Sequence, residues 1–232
     1  MGYKCASNTW KRIMQINPGP AGPVHGDIFS RVVDAIHEQG YIVLDDFLSP
    51  ATLQGLCRHC HSIEQARFRA AGVGREQDYQ LNQQVRSDEI FWLDGKDPDS
   101  AGYFDWLEQL RLRINQELFL GLFDYESHYA YYPQGAFYKR HLDAFKGSSN
   151  RRLSTVLYLN EQWQPEDGGE LLMYHADETT AFETIQPIYG RLVIFLSERF
   201  PHEVAITHRP RFSLTGWFRI NGTSTEHLDP PS

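Results

Sequence analysis

Apolar positions along the chain change period near residue 124, and the change separates two kinds of organisation. Upstream they recur every three to four residues. Ile28, Phe29, Val32, Val33 and Ile36 form one stripe behind Asp27, a side chain suited to cap a first turn, and Gly40 supplies the stop, so a helix is predicted there. Tyr41 to Leu48 reads as a strand. Ser49-Pro50 then offers a capping serine and a first-turn proline for a second helix to about Phe68, with Leu53, Leu56, Cys57, Cys60 and Ile63 on its apolar face. Val85 to Leu93 has strand character, and Tyr103 to Phe119 returns to helical spacing through Phe104, Leu107, Leu110, Ile114 and Leu118.

Downstream the pattern becomes short alternating runs bounded by turn residues, the signature of a sandwich or barrel. Strands are expected at about Ser127–Tyr132, Ala136–Asp143, Leu153–Asn160, Gly169–His175, Glu183–Pro187, Arg191–Leu196, Glu203–Ile206 and Arg211–Ile220. Helices first and strands afterwards imply a mainly β fold with flanking helices (α+β): a double-stranded β-helix, or jelly roll, with N-terminal helices packed on one sheet. Residues 1–26 end in Asn17-Pro18-Gly19-Pro20-Ala21-Gly22-Pro23 and read as a flexible arm. A single catalytic domain is expected over 27–225, with helical support and a long loop in 27–123 and core strands in 124–220.

Composition narrows the class. Hydrophobic residues make up 41% of the 232 positions and aromatics 13%, enough for a core without disulfides or metal staples. The net charge of −8 argues against a nucleic-acid partner. No membrane span and no apolar core of a secretion signal is found, and three cysteines, Cys5, Cys57 and Cys60, suit free thiols in a reducing compartment, so a cytoplasmic location is expected. Cys57-Arg58-His59-Cys60-His61 matches the C-x-x-C-H pattern of haem attachment, but both cysteines fall on the apolar face of the second helix, and packed thiols are the favoured reading.

The candidate chemistry lies in Tyr138-Lys139-Arg140-His141-Leu142-Asp143 and in two residues far downstream. Alternate strand side chains share a face, so His141 and Asp143 project together. With His202 they make two histidines and one carboxylate, the set that holds iron(II) on one face and leaves other positions open. The other eight histidines, His128 among them, read as ordinary core or surface residues. Arg211 adds specificity to the pattern. It opens the last strand nine residues after His202, in phase with Thr215 and Trp217, whereas Phe212, Leu214 and Phe218 have the opposite phase. An arginine turned into a barrel calls for a carboxylate, which a keto-acid co-substrate supplies.

These residues, with Val85-Arg86-Ser87-Asp88-Glu89-Ile90-Phe91-Trp92-Leu93, Tyr132-Pro133, Leu157-Tyr158-Leu159-Asn160, Gly168-Gly169-Glu170-Leu171, Pro201-His202-Glu203-Val204 and Thr215-Gly216-Trp217, resemble the iron(II)- and 2-oxoglutarate-dependent oxygenases of the prolyl hydroxylase family, which includes the oxygen-sensing enzymes of animals. The resemblance runs from about residue 28 to 220. It implies iron ligands His141, Asp143 and His202, and a 2-oxoglutarate site of Arg211, Tyr158, Tyr132 and Thr215, with Tyr131 the alternative to Tyr132 because the loop is one residue shorter. Trp92, Arg151 and Trp217 would line the substrate entrance, Arg152 being the alternative to Arg151, and 69–85 would form a finger over it; without the resemblance that segment is equally an ordinary hairpin tip. The implied reaction couples decarboxylation of 2-oxoglutarate with O2 to succinate and CO2 to hydroxylation of a proline. Ascorbate would be an accessory reductant. The implied partner is a protein substrate, elongation factor Tu being the first candidate, and the chain would act as a compact monomer. Other readings are hydroxylation of a free amino acid or small peptide, and a non-catalytic module sensing iron and 2-oxoglutarate.

Overall fold

A computed structural model describes residues 27–72, 84–144 and 150–221. The arm 1–26 and most of the expected finger lie outside the described residues. Three α-helices precede the main run of strands among the residues described: α1 (Ile28–Glu38), α2 (Pro50–Ser62) and α3 (Pro98–Leu118). Each begins on a side-chain cap. Asp27 accepts from the Phe29 amide at 3.5 Å, Ser49 from Thr52 at 3.1 Å and Asp97 from Asp99 at 2.9 Å.

Two helix boundaries differ from the sequence expectation. α3 starts at Pro98 rather than Tyr103, because Asp97-Pro98 supplies a cap and a first-turn proline before the apolar stripe begins. α2 stops at Ser62 rather than Phe68. Ile63 turns extended there, and a short 3-10 turn at Gln65–Arg67 carries the chain on to a buried Phe68.

The strands are β1 (Tyr41–Leu44), β2 (Arg69–Ala70), β3 (Glu89–Trp92), β4 (Leu122–Tyr132), β5 (Tyr138–His141), β6 (Arg151–Tyr158), β7 (Leu171–Met173), β8 (Glu183–Ile185), β9 (Leu192–Leu196), β10 (His202–Val204) and β11 (Arg211–Ile220). All eight strands expected after residue 124 are present, most of them shorter than predicted. β1 ends at Leu44 because Asp46 takes a left-handed conformation, φ 55°. Every pairing between these described strands is antiparallel. Seven strands form one sheet in the order β1-β9-β6-β11-β4-β3-β2, and four form the other in the order β5-β10-β7-β8. Two facing antiparallel sheets with helices on one of them make the expected jelly roll.

Alternation along the large sheet builds two interiors. Leu153, Leu157, Leu192, Ile194, Leu214 and Phe218 face the helices, joining Val32, Leu56, Leu107 and Ile114. The opposite phase, including Ala130, Tyr132, Val156, Tyr158, Val193 and Phe195, faces Leu171, Met173, Ile185 and Val204 of the small sheet. The site lies in this second interior.

Cys60 is buried and Cys57 half-buried in the helix-side layer, both as free thiols. Burial pushes the Cys60 thiol up to about 12, the state of a packed thiol rather than a reactive one.

Candidate active site

Antiparallel pairing of β5 with β10 sets His141 directly opposite His202. Cross-strand partners lie close enough for their side chains to meet, and the two imidazoles are 4.3 Å apart between ring centres. Asp143 lies two residues beyond His141, just past the end of β5, and still reaches the same side. Its Oδ1 is 3.6 Å from His141 Nε2 and its Oδ2 3.7 Å from His202 Nε2. Among the described residues this is the one cluster of potential metal ligands, all its ligand atoms lying within 4.8 Å of one another.

The surroundings prepare these groups for a cation. His141 Nδ1 donates to the Lys139 carbonyl at 2.9 Å and His202 Nδ1 to the Phe200 carbonyl at 3.0 Å, so each imidazole keeps the lone pair of Nε2 for the centre. Burial, reinforced by the charge of His141, lowers the His202 pKa to about 4 and keeps that ring neutral at physiological pH. For Asp143, burial works against the carboxylate, but His202, His141 and Arg151 outweigh it and hold the acid below the usual carboxylate range. Ser154 donates to Asp143 Oδ2 at 2.6 Å and is itself 2.9 Å from Ser197 Oγ. This serine pair, both members fully buried, fixes the carboxylate's orientation.

Deeper in the same interior, Arg211 opens β11 with only 1% of its surface exposed. Its Nε donates to the Gly169 carbonyl at 2.9 Å, and the guanidinium carbon lies 4.8 Å from the centre of the Tyr132 ring and 5.1 Å from that of Tyr158. No carboxylate among the described residues pairs with it. The buried Tyr158 hydroxyl also lacks a hydrogen-bond partner of good geometry among the described residues. A buried guanidinium beside an unsatisfied phenol is a costly arrangement unless an anion completes it. Gly169 makes the geometry possible, because at its φ of 68° a Cβ would lie 2.9 Å from Arg211 Cδ.

The register puts the alternative residues on different faces. Tyr132 pairs with Arg211 and faces the inter-sheet interior, whereas Tyr131 faces the helices, its ring tilted against Phe212 at 4.9 Å between centres. Arg151 reaches the site although unbroken alternation from Ser154 would bring Arg152 there. In β6, Leu153 pairs with Phe218 and Arg151 with Arg219, which makes Arg152 the extra residue of a bulge. The Arg151 guanidinium lies 3.4 Å from the centre of the Trp217 ring and pairs with Glu126 at 2.8 Å. Trp92 stands 6.4 Å from Trp217 and is half-exposed. Thr215 shares the face of Arg211 and Trp217.

Sequence reasoning gave no role to Ser154, Ser197 or the Gly169 carbonyl, nor to the bidentate pair of Arg86 with buried Asp88, at 2.7 and 2.6 Å. Arg86 also lies over Tyr138, which stacks on His141 at 3.6 Å. The Arg-x-Asp spacing in the segment before Trp92 was the available signal.

Residues 127–219 match the family model of the 2OG-Fe(II) oxygenase superfamily. The crystal structure of a Pseudomonas putida prolyl-4-hydroxylase superposes with a TM-score of 0.75 and 41% identity, over 84% of this chain and all of that one. The chain belongs to the prolyl hydroxylases among the 2-oxoglutarate- and iron(II)-dependent oxygenases. Other members of the family show the same relation at greater distance. A prolyl hydroxylase from Trichoplax adhaerens, in complex with a hypoxia-inducible factor oxygen degradation domain peptide, has a TM-score of 0.73 and 26% identity over 82% of this chain and 88% of that one. Egl nine homolog 1 of Homo sapiens is 28% identical over 196 residues, 81% of this chain but 45% of the relative, so the chain spans about half of that protein's length.

The family uses iron(II), 2-oxoglutarate and O2, and the residues present fit these groups. The histidine–carboxylate cluster is a donor set for iron(II), and the unmatched Arg211 with Tyr158 suits the far carboxylate of a dicarboxylic keto acid.

Proposed function

We propose that this chain is a protein prolyl hydroxylase, in which His141, Asp143 and His202 hold iron(II), Arg211, Tyr158, Tyr132 and Thr215 hold 2-oxoglutarate, and Trp92, Arg151 and Trp217 line the substrate entrance. The observation that carries the reading is the buried Arg211 with no carboxylate partner among the described residues, in the same interior as a ready-made iron site. When bound, the iron would supply the oxidising chemistry, in which O2 is consumed, one oxygen atom going into succinate as 2-oxoglutarate loses CO2 and the other into the hydroxyl of the proline. The chain contributes position. Ser154 keeps Asp143 in one orientation, Arg211 fixes the keto acid by its far end, and Trp217 with Arg151 forms a wall against which the target proline is placed.

The proposed substrate is a proline within a protein, with elongation factor Tu the first candidate. The enzyme would act as a cytoplasmic monomer through one catalytic domain at 27–225, with ascorbate as accessory reductant. None of the described helices is long and apolar enough to cross a membrane.

The test is to load the protein anaerobically with iron(II), then admit oxygen with 2-oxoglutarate and a cell extract. Mass spectrometry then searches for a proline heavier by one oxygen atom. Hydroxyproline on one protein, absent with His141→Ala and Arg211→Ala, supports the reading. Succinate formed only with small molecules would replace it with hydroxylation of a free amino acid, and no succinate at all with a sensing module.

A further inference from the structure

His128 stands in the middle of the site face, yet neither the iron cluster nor the carboxylate clamp uses it. It pairs across β4 and β11 with Thr215, four residues along the strand from the Arg211–Tyr132 pair and two from Trp217. Strands β4 and β6 flank β11, so the rows carrying His128 and Ser154 are about 10 Å apart, roughly the width of one extended chain. His128 thus lies on the same sheet face as Ser154, two strand spacings away.

The ring is held on two sides, 5.0 Å from Trp92 and 5.3 Å from Trp217 between centres. Only 4% of the residue is exposed, and Nδ1 is buried without a hydrogen-bond partner among the described residues. Trp217 Nε1 is also buried and, among the described residues, unpartnered. A histidine retained only for packing would have that nitrogen satisfied, since buried polar atoms almost always are. Burial, helped by the positive charges of Arg86 and Arg151, lowers the His128 pKa to about 3, so the imidazole is neutral and able to accept a hydrogen bond.

The two unpartnered nitrogens differ in capacity. Indole Nε1–H can only donate, and it suits a carbonyl; the imidazole Nδ1 can accept, and it suits an N–H. An extended peptide presents both groups along one edge, and a proline inside it has no N–H of its own.

We propose that His128 is a specificity-determining residue that reads the main chain beside the target proline: its Nδ1 accepts the N–H of the residue following the proline, while Trp217 donates to a neighbouring main-chain carbonyl. The inference rests on the prolyl hydroxylase reading above and deepens it. Free proline has no following amide, so this subsite selects proline in peptide linkage.

The test is a chemical double-mutant cycle read by binding. A library of capped, proline-centred peptides is first screened with the iron-loaded enzyme, and the best-oxidised sequence is made twice, once with its natural amide after the proline and once with an ester there, which deletes that single N–H. Both are titrated anaerobically into manganese(II)-loaded protein containing 2-oxoglutarate, with tryptophan fluorescence as the readout. The wild type should prefer the amide by about tenfold, one hydrogen bond's worth of free energy. His128→Leu should bind both equally, and His128→Gln, which keeps an acceptor, should recover part of the preference and carries the test if the leucine variant does not fold. An undiminished amide preference in His128→Leu, or in His128→Gln where the leucine variant does not fold, or no preference in the wild type, overturns the role of His128 and leaves the hydroxylase reading standing. A library with no oxidised peptide removes that reading and this inference with it.

Discussion

The two faces of the large sheet are made by the same strands and differ by a single residue of phase. On the helix side, Leu153, Leu157, Leu192, Ile194, Leu214 and Phe218 form an apolar layer whose burial stabilises the fold. On the inter-sheet side, Arg211, Tyr158, His128 and Trp217 are equally buried, yet carry a charge or polar atoms that the described residues leave unmatched. The first face is finished when the chain folds. The second is finished only when ligands arrive, and its incompleteness is the better guide to function.

Substitutions on the two faces should therefore separate stability from ligand binding. The largest effect is expected for His141→Ala, which removes one of three ligands: metal affinity should fall by more than the roughly 10–100-fold typical of losing an outer partner, with the melting temperature of the metal-free protein nearly unchanged. Leu157→Ala should do the reverse. It empties a fully buried site on the helix side and should cost about 2–5 kcal/mol in denaturant unfolding, while metal affinity in the folded protein stays at the wild-type value.

Arg211→Met sharpens the contrast within one residue. Replacing a buried, unmatched charge by an apolar side chain of similar length should leave the ligand-free protein as stable or up to about 4 kcal/mol more stable, while 2-oxoglutarate binding is lost in calorimetry. Ser154→Ala should lower metal affinity by about 10–100-fold, because Asp143 then loses the donor that orients it, and Ser154→Thr should restore most of it. The smallest change is expected far from both faces: Asp27→Ala removes the cap of α1 and should cost about 0.5–2 kcal/mol with no effect on either ligand.

What could be read from sequence follows from which interactions are periodic. The phase of β11, with Arg211, Thr215 and Trp217 on one side and Leu214 and Phe218 on the other, is a local property of an extended chain, and the structure shows it without change. His141 was legible for the same reason, and Asp143 reaches the same side although β5 ends before it. Arg151 was not separable from Arg152, because a bulge breaks the alternation and nothing in Arg151-Arg152-Leu153 announces it. Ser154 in β6 meets Ser197 in the turn just past β9, its paired strand, and such contacts depend on register rather than on sequence neighbours. His128 was grouped with the ordinary histidines; only the strand pairing places it between two tryptophans with a nitrogen unsatisfied.

In the function proposed above, a metal and a dicarboxylic keto acid together complete the inter-sheet face. Anaerobic calorimetry of 2-oxoglutarate binding to manganese(II)-loaded protein tests it most directly. One binding site per chain is predicted, abolished by Arg211→Met and greatly weakened when the metal is withheld. Binding that survives Arg211→Met at wild-type affinity, or no binding to the metal-loaded protein, would contradict it.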